Sequence, residues 1–320
     1  MTKAILLPAA IVLALCTASA QTPGEAQGTR SERLHADSED SFKLTVDVDL
    51  VLFNVTVFDH KNRVVSGLGR ENFRLYEEGQ LQDVNFFRAE DSPATIGLVI
   101  DNSASMSRKR DRVLSAAMTF TDASNPQDEL FIVGFNERAT LALPRSMSFT
   151  SDIDQLHRAL VGTRMMGRTA LYDAIAMALD HLELGRQQRK ALVVLSDGAD
   201  NASAVTLDNL LKRIQQSNAS VFTIGIYDSN DNNKNPGVLK KIAKAGGTEA
   251  YFPDDLDELS EVWSKIAGGI RSQYTLGFTS RNPPRMDEYR RVSIVATGKD
   301  GKVLRVRARD GYRARGAVVP

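Results

Sequence analysis

Three aspartates close apolar runs in the middle of this chain. Ile96-Gly97-Leu98-Val99-Ile100 runs into Asp101, Leu192-Val193-Val194-Leu195 reaches Asp197 through Ser196, and the run from Phe222 to Tyr227 ends at Asp228. An unpaired carboxylate at the end of a buried strand loses several kcal/mol of hydration. A positively charged partner is the direct explanation for putting one there. Around the first of them the order is Asp101-Asn102-Ser103-Ala104-Ser105-Met106. Alternate positions of an extended loop point the same way, so Asp101, Ser103 and Ser105 can aim three oxygens together. All are hard donors, and no His or Cys stands beside them. That donor set suits Mg²⁺, which prefers octahedral oxygen coordination, better than zinc or copper.

These residues need elements to position them. From residue 95 the pattern alternates strand and helix, with strands expected at 95–100, 129–135, 140–143, 191–195, 221–226 and near Tyr251. Helices are expected at about 109–122, 153–160, 170–184, 207–216, 238–245 and 256–270. Strands that run apolar without alternation are covered on both faces, as parallel sheets between helices require. The expected domain, residues 93–270, is therefore α/β, a doubly wound, mostly parallel six-stranded sheet of Rossmann-like type. Ligands of such sheets lie at the carboxyl ends of the strands, where strand order reverses. The aspartates close strands at that end.

The flanks read differently. Leu44, Val46, Val48 and Leu50 alternate with polar residues, 52–58 and 63–65 continue the pattern across a turn at 59–62, and 73–77 and 84–87 flank Glu78-Gly79-Gln80. After Gly269 the pattern returns at 274–278, 289–296 and 302–308. Each flank is short of strands to stand alone. The expectation is that 42–92 pairs with 271–315, making the α/β domain an insertion in a small antiparallel β-sandwich. Arg305, Arg307 and Arg309 alternate along a late strand and are expected to line its solvated face.

The ends and totals bound the function. The chain has 320 residues with 40 basic and 40 acidic side chains, hence no excess charge to neutralise phosphates, and nucleic acid is not an expected partner. Residues 1–20 read as a signal peptide, with an apolar run from Ala4 to Ala14 and Ala18-Ser19-Ala20 before the cut. Residues 21–41 form a polar tether. Cys16, the only cysteine, follows Leu15 rather than a small residue, which disfavours lipidation. Cleavage after Ala20 leaves no cysteine, so an exported, periplasmic or extracellular protein without disulfides is expected. No later stretch approaches the 18 or so apolar residues of a transmembrane helix.

Asp101, Ser103 and Ser105, followed by Thr169 in Gly167-Arg168-Thr169-Ala170-Leu171-Tyr172-Asp173-Ala174 and Asp197 in Leu195-Ser196-Asp197-Gly198, resemble the von Willebrand factor A-type family. The resemblance is to its metal-ion-dependent adhesion site, whose three separated parts stand here in order. It implies that Ser103, Ser105 and Thr169 touch Mg²⁺ through hydroxyls, with Mn²⁺ or Ca²⁺ as alternatives, while Asp101 and Asp197 act mainly through water. Neutral direct ligands would leave the cation short of negative charge, so an Asp or Glu carboxylate of a protein partner completes the site. The family is chiefly one of adhesion and assembly modules, not enzymes. Arg168 stands where Gly is frequent in the family, either favouring an acidic partner or pointing to solvent. The flanks, with Val64-Val65-Ser66-Gly67-Leu68, Glu71-Asn72-Phe73, Tyr274-Thr275-Leu276-Gly277-Phe278 and Tyr289-Arg290-Arg291-Val292, resemble a bacterial exported subgroup.

Two rival readings use the same cluster. One is a Mg²⁺-dependent hydrolase, against which the motif loops hold no His, Lys or Glu as an evident general base. The other is a scaffold whose metal is purely structural. Asp47-Val48-Asp49-Leu50-Val51 matches a phosphatase nucleophile motif but lies in an alternating β segment, and Asp228-Ser229-Asn230-Asp231-Asn232 lacks the glycine and glutamate of a calcium loop.

Overall fold

The structure is a computed structural model. It describes residues 50–314 except 90–91, 123, 162–165, 228–233 and 283–286. The first flank supplies β1 (Leu50–Phe58), β2 (Phe73–Glu77), β3 (Gln80–Gln82) and β4 (Phe86–Arg88). The central region runs β5 (Ala94–Asp101), α1 (Arg110–Asp122), β6 (Glu129–Phe135), β7 (Ala139–Leu141), α2 (Ile153–Val161) and α3 (Leu171–Leu182). It continues through β8 (Arg189–Ser196), α4 (Leu207–Gln216), β9 (Ser220–Gly225), α5 (Pro236–Ala245), β10 (Ala250–Tyr251) and α6 (Leu256–Arg271). The second flank adds β11 (Tyr274–Thr279), β12 (Tyr289–Thr297), β13 (Val303–Arg307) and β14 (Gly311–Arg313).

The central sheet has six strands in the order β10-β9-β8-β5-β6-β7, parallel except for the edge strand β7. All eight residues of β5 are buried, which explains the run without alternation. Ile96, Leu98 and Ile100 pack with Val113, Phe120, Leu156 and Trp263 of α1, α2 and α6. Val99, Leu192 and Val194 face the other way, onto Ala174, Leu210 and Leu239 of α3, α4 and α5. The doubly wound α/β class follows from these two covered faces. From β5 the chain goes outward to β6 and β7, then crosses back to β8 on the opposite side. The carboxyl ends of β5 and β8 therefore flank the reversal of strand order, where such sheets bind ligands.

The flanks join in one antiparallel path, β3-β2-β12-β13-β1-β11-β4, with β14 added on β12. β1 pairs with β11 over Leu50 to Val55 and with β13 over Thr56 to Phe58. That change of partner lets the sheet curl until its halves face one another. Phe73 of β2 meets Tyr274 of β11 at 4.9 Å, and Phe53 of β1 meets Tyr312 of β14 edge-on at 6.2 Å. The sandwich core is thus closed by a single curled sheet.

Arginines join the two layers. Buried Arg189, at the start of β8, donates to the carbonyls of Arg271 at 3.0 Å and Gln273 at 2.8 Å, where the chain leaves α6 for β11. The expectation that Arg305, Arg307 and Arg309 line a solvated face needs correction at Arg309. It is buried, lies 4.4 Å over the Phe53 ring, and donates to the carbonyls of Leu52 at 2.7 Å and Gln215 at 3.1 Å. Period-two alternation places a side chain on a face but does not say what covers that face. Arg305, which is exposed, and half-buried Arg307 stack on Phe58 at 4.7 and 4.6 Å.

Smaller departures are local. Residues 63–65 contribute only a bridge between Phe58 and Val64, and β3 and β14, each three residues, carry too little pattern to be read beforehand. The alternating residues 44–49, the leader and the tether lie outside the described residues, as does Asp228. Among the described residues no helix is long and apolar enough to cross a membrane.

Candidate metal centre

Asp101 is the last residue of β5, and Asp197 directly follows β8. Because those strands are adjacent and in register, Ile100 beside Leu195, both carboxylates emerge at the same end of the sheet. Each is fully buried. Asp101 Oδ1 accepts the Ser103 amide at 2.9 Å, and its Oδ2 accepts the Ser196 hydroxyl at 2.6 Å. The first of these bonds folds the loop back so that a 3₁₀ turn, Ala104–Lys109, starts straight after Ser103. That turn brings the Ser103 and Ser105 hydroxyls to 3.1 Å, and Ser105 Oγ donates to Asp197 Oδ2 at 2.6 Å. Asp101, Ser103, Ser105 and Asp197 thus form one connected set of oxygens assembled from two strands and one turn.

Thr169 enters through its backbone. The Ala104 amide donates to the Gly167 carbonyl at 3.2 Å, and the Met166 amide to the Asn102 carbonyl at 2.9 Å, clipping its loop against the Asp101 loop. Gly167 has φ of +82°, and a Cβ there would lie 3.0 Å from Glu137 Oε1, so glycine suits the turn. The Thr169 amide donates to Asn201 Oδ1 at 2.9 Å, while the Asn201 amide returns a 2.9 Å bond to the Thr169 carbonyl. Thr169 is held buried between these clamps, and neighbouring Arg168 is exposed. On the Asp197 side, Gly198 adopts φ of +79°, and a Cβ would stand 2.5 Å from the Asn235 carbonyl. The Asn235 amide donates to the Asp197 carbonyl at 2.8 Å while its side chain caps α5.

Three positioning groups were not singled out from sequence: Ser196, Asn201 and Lys109. Ser196 is adjacent to a motif residue, but Asn201 lies 32 residues from the threonine it holds. Lys109 is 1% exposed, with Nζ 4.0 Å from Asp197 Oδ2. The available signal was a basic residue just before the first turn of α1, where the helix dipole disfavours a cation.

The electrostatics are those of a site short of positive charge. Burial pushes the Asp101 carboxyl up to about 6, against the opposing pull of hydrogen bonds from Ser103 and Ser196 and with a further push from Asp197. The donors fit a hard dication. Adjacent ligands of octahedral Mg²⁺ with bonds of about 2.0–2.1 Å lie about 2.9 Å apart, close to the 3.1 Å between the serine hydroxyls. The residues that could hold it are Ser103, Ser105 and Thr169 by hydroxyl, and Asp101 and Asp197 by carboxylate. Among the described residues no group of three or more His, Cys, Asp and Glu offers a different metal site.

A doubly wound sheet with a hydroxyl-and-carboxylate loop cluster at its switch point defines the class. The family model of the von Willebrand factor type A domain matches residues 95–265, and the chain belongs to that family. Its domains are typically protein-interaction modules rather than enzymes. A von Willebrand factor type A structure from Catenulispora acidiphila superposes with a TM-score of 0.50 at 16% identity, covering 85% of this chain and 74% of that one. Proximal thread matrix protein 1 from the mussel byssus, with a zinc-occupied site of the same motif, gives 0.50 at 17% identity over 62% of this chain and 50% of its own. An uncharacterized protein of Borreliella burgdorferi is 22% identical over 218 residues, 65% of this chain. The alignment spans 63% of that relative's length.

Proposed function

We propose that this protein is an exported module that holds a divalent cation, Mg²⁺ in the first instance, and uses it to capture an acidic group of a protein partner. The observation that supports this reading most is the connected set of Ser103, Ser105 and Asp197 oxygens at 2.6–3.1 Å beside buried Asp101. Buried aspartates are costly unless a cation compensates them. A dication bound there would supply a concentrated positive charge with a coordination position left for an anionic ligand. The protein's part is to fix the hydroxyls through the 3₁₀ turn, to hold Thr169 through Asn201, and to keep the carboxylates away from bulk water. The zinc-occupied motif of the mussel protein supports a divalent cation in a site of this kind. Export rests on the reading of residues 1–20.

The test is capture of partner from the host's envelope fraction by immobilised protein, with and without chelator. Wild type should capture in Mg²⁺ and lose capture in chelator, and Asp101→Ala and Thr169→Ala should fail in both while keeping the wild-type circular dichroism spectrum. Equal capture by either variant in chelator would sink the metal bridge.

A further inference from the structure

The rim of the metal centre carries a cation on a fixed root. Residues 166–170 are pinned along their backbone: the Met166 amide donates to the Asn102 carbonyl at 2.9 Å, the Thr169 amide to Asn201 Oδ1 at 2.9 Å, and the Ala170 amide to the Asn136 carbonyl at 2.7 Å. Thr169 is turned inward and buried, while Met166 is 57% exposed and Arg168 is exposed between them. Among the described residues the Arg168 side chain has no hydrogen bond, ion pair or ring contact. Glu137 brings a carboxylate to this segment, since its Oε1 would lie 3.0 Å from a Cβ on Gly167. It forms an ion pair with neither Arg168 nor Arg138, which is also exposed. A guanidinium can hold a carboxylate by two parallel bonds, and Met166, two residues away, offers apolar surface that thins the water around such a pair.

We propose that Arg168 determines specificity: the partner binds through two acidic side chains at alternate positions of an extended segment, one on the metal and the next on the Arg168 guanidinium. This rests on the metal-bridge reading above and deepens it by naming the partner's motif. Alternate side chains of an extended chain emerge on one face about 7 Å apart. The second carboxylate therefore falls outside the metal's reach and onto the rim. Arg168 is rooted there, one residue and about 3.8 Å from Thr169, with a stem long enough to extend further outward. A metal alone takes any carboxylate, whereas the arginine favours a pair.

Calorimetry of the purified protein in MgCl₂ tests this with the peptide Gly-Gly-Asp-Gly-Asp-Gly-Gly, blocked at both ends, and the two versions in which one aspartate is asparagine. Wild type should bind the diacidic peptide about five- to tenfold more tightly than either single-acid peptide. Two equivalent carboxylates give only roughly twofold by statistics. Arg168→Gln should bring the preference down to that statistical level, Arg168→Lys should keep part of it, and Arg168→Glu should abolish or reverse it. A loop merely disturbed by substitution would weaken all three peptides together and leave their ratio unchanged. If Arg168→Gln keeps the wild-type ratio, or if wild type binds Mg²⁺ yet shows no preference or binds no peptide, the acidic pair is overturned while the metal site stands. If wild type takes up Mg²⁺ neither alone nor with peptide, the metal-bridge reading falls and this inference with it.

Discussion

Among the described residues the fully buried carboxylates fall into two centres, and these are built in opposite ways. In the curled sheet, Glu77 is fully buried and surrounded by donors. Tyr312 Oη reaches it at 2.6 Å, Ser280 Oγ at 2.7 Å and Asn282 Nδ2 at 2.8 Å, with Arg290 Nη1 at 3.5 Å supplying the charge. The same Arg290 nitrogen donates to Ser280 Oγ at 2.9 Å, so the network closes on itself. At the head of the central sheet, Asp101 and Asp197 are equally buried, yet their donors are hydroxyls and amides, and a lysine stands 4.0 Å from Asp197. Burial drives Asp101 up to about 6. It drives the Tyr312 hydroxyl up to about 12, helped by its bond to Glu77. A carboxylate with its charge and lone pairs answered from within is a structural joint. One that is left short is prepared for something from outside.

The sharpest way to break that contrast is to remove one carboxylate from each centre. Asp101→Ala should abolish saturable Mg²⁺ heat in calorimetry up to millimolar concentration, with no fall in the melting temperature of the metal-free protein. Glu77→Gln should do the reverse. It turns the carboxylate that accepts from Tyr312, Ser280 and Asn282 into a neutral amide, while Glu288 at 3.3 Å still faces Arg290; stability is expected to fall by about 1–3 kcal/mol in urea titration, while the folded fraction binds Mg²⁺ as wild type does. A Glu77 variant with native stability, or an Asp101 variant that melts early, would put the two centres in one class.

A subtler cut goes to the support rather than the carboxylates. Asn201 touches Thr169 from both sides with 2.9 Å bonds and belongs to neither centre's charge. Outer-shell partners of metal sites are typically worth about 10–100-fold in affinity. Because Asn201 holds a backbone rather than a liganding atom, Asn201→Ala should fall near the lower end, about tenfold weaker for Mg²⁺ at unchanged fold. An unchanged affinity would mean that the Gly167 clip alone positions Thr169.

The contrast also explains what the sequence could disclose. The strand ends, the Asp-x-Ser-x-Ser spacing and the Thr169 loop are local patterns, written in consecutive residues and read through strand periodicity. The four central strands β5, β6, β8 and β9 follow from continuous apolar runs, because burial on both faces leaves no alternation to misread. The Glu77 centre has no such signature. Its members come from positions more than 200 residues apart, such as Glu77 and Tyr312, and each alone resembles an ordinary strand or loop residue. Arg309 shows the same limit: alternation gave its face of β-rich sequence but not the α4 terminus packed over it. Lys109 was within four residues of Ser105, yet only the tertiary fold reveals that it turns inward to Asp197.

The smallest effect separates the centres by pH. Asp101 has an ordinary value of 3.8 and is pushed up to about 6 in the fold. Between those values the native state holds a proton that the unfolded chain has lost, so this group makes metal-free stability fall as pH rises through that window. Above about 6 its contribution is level. Mg²⁺ must displace that proton, so affinity should be flat above about pH 7 and roughly half as great at about pH 6. Below that it should weaken toward tenfold per pH unit. Tyr312 moves in the same direction at the other end of the scale. Its ordinary value of 10.0 is raised to about 12, so the stability it contributes is complete below about pH 10 and is lost as pH rises toward 12. Mg²⁺ titrations at pH 7.5, 6.5, 5.5 and 5.0 decide the first half. An affinity that ignores pH over that range would show that Asp101 stays ionised without its metal, and that the donors already present satisfy it as fully as those around Glu77 satisfy that residue.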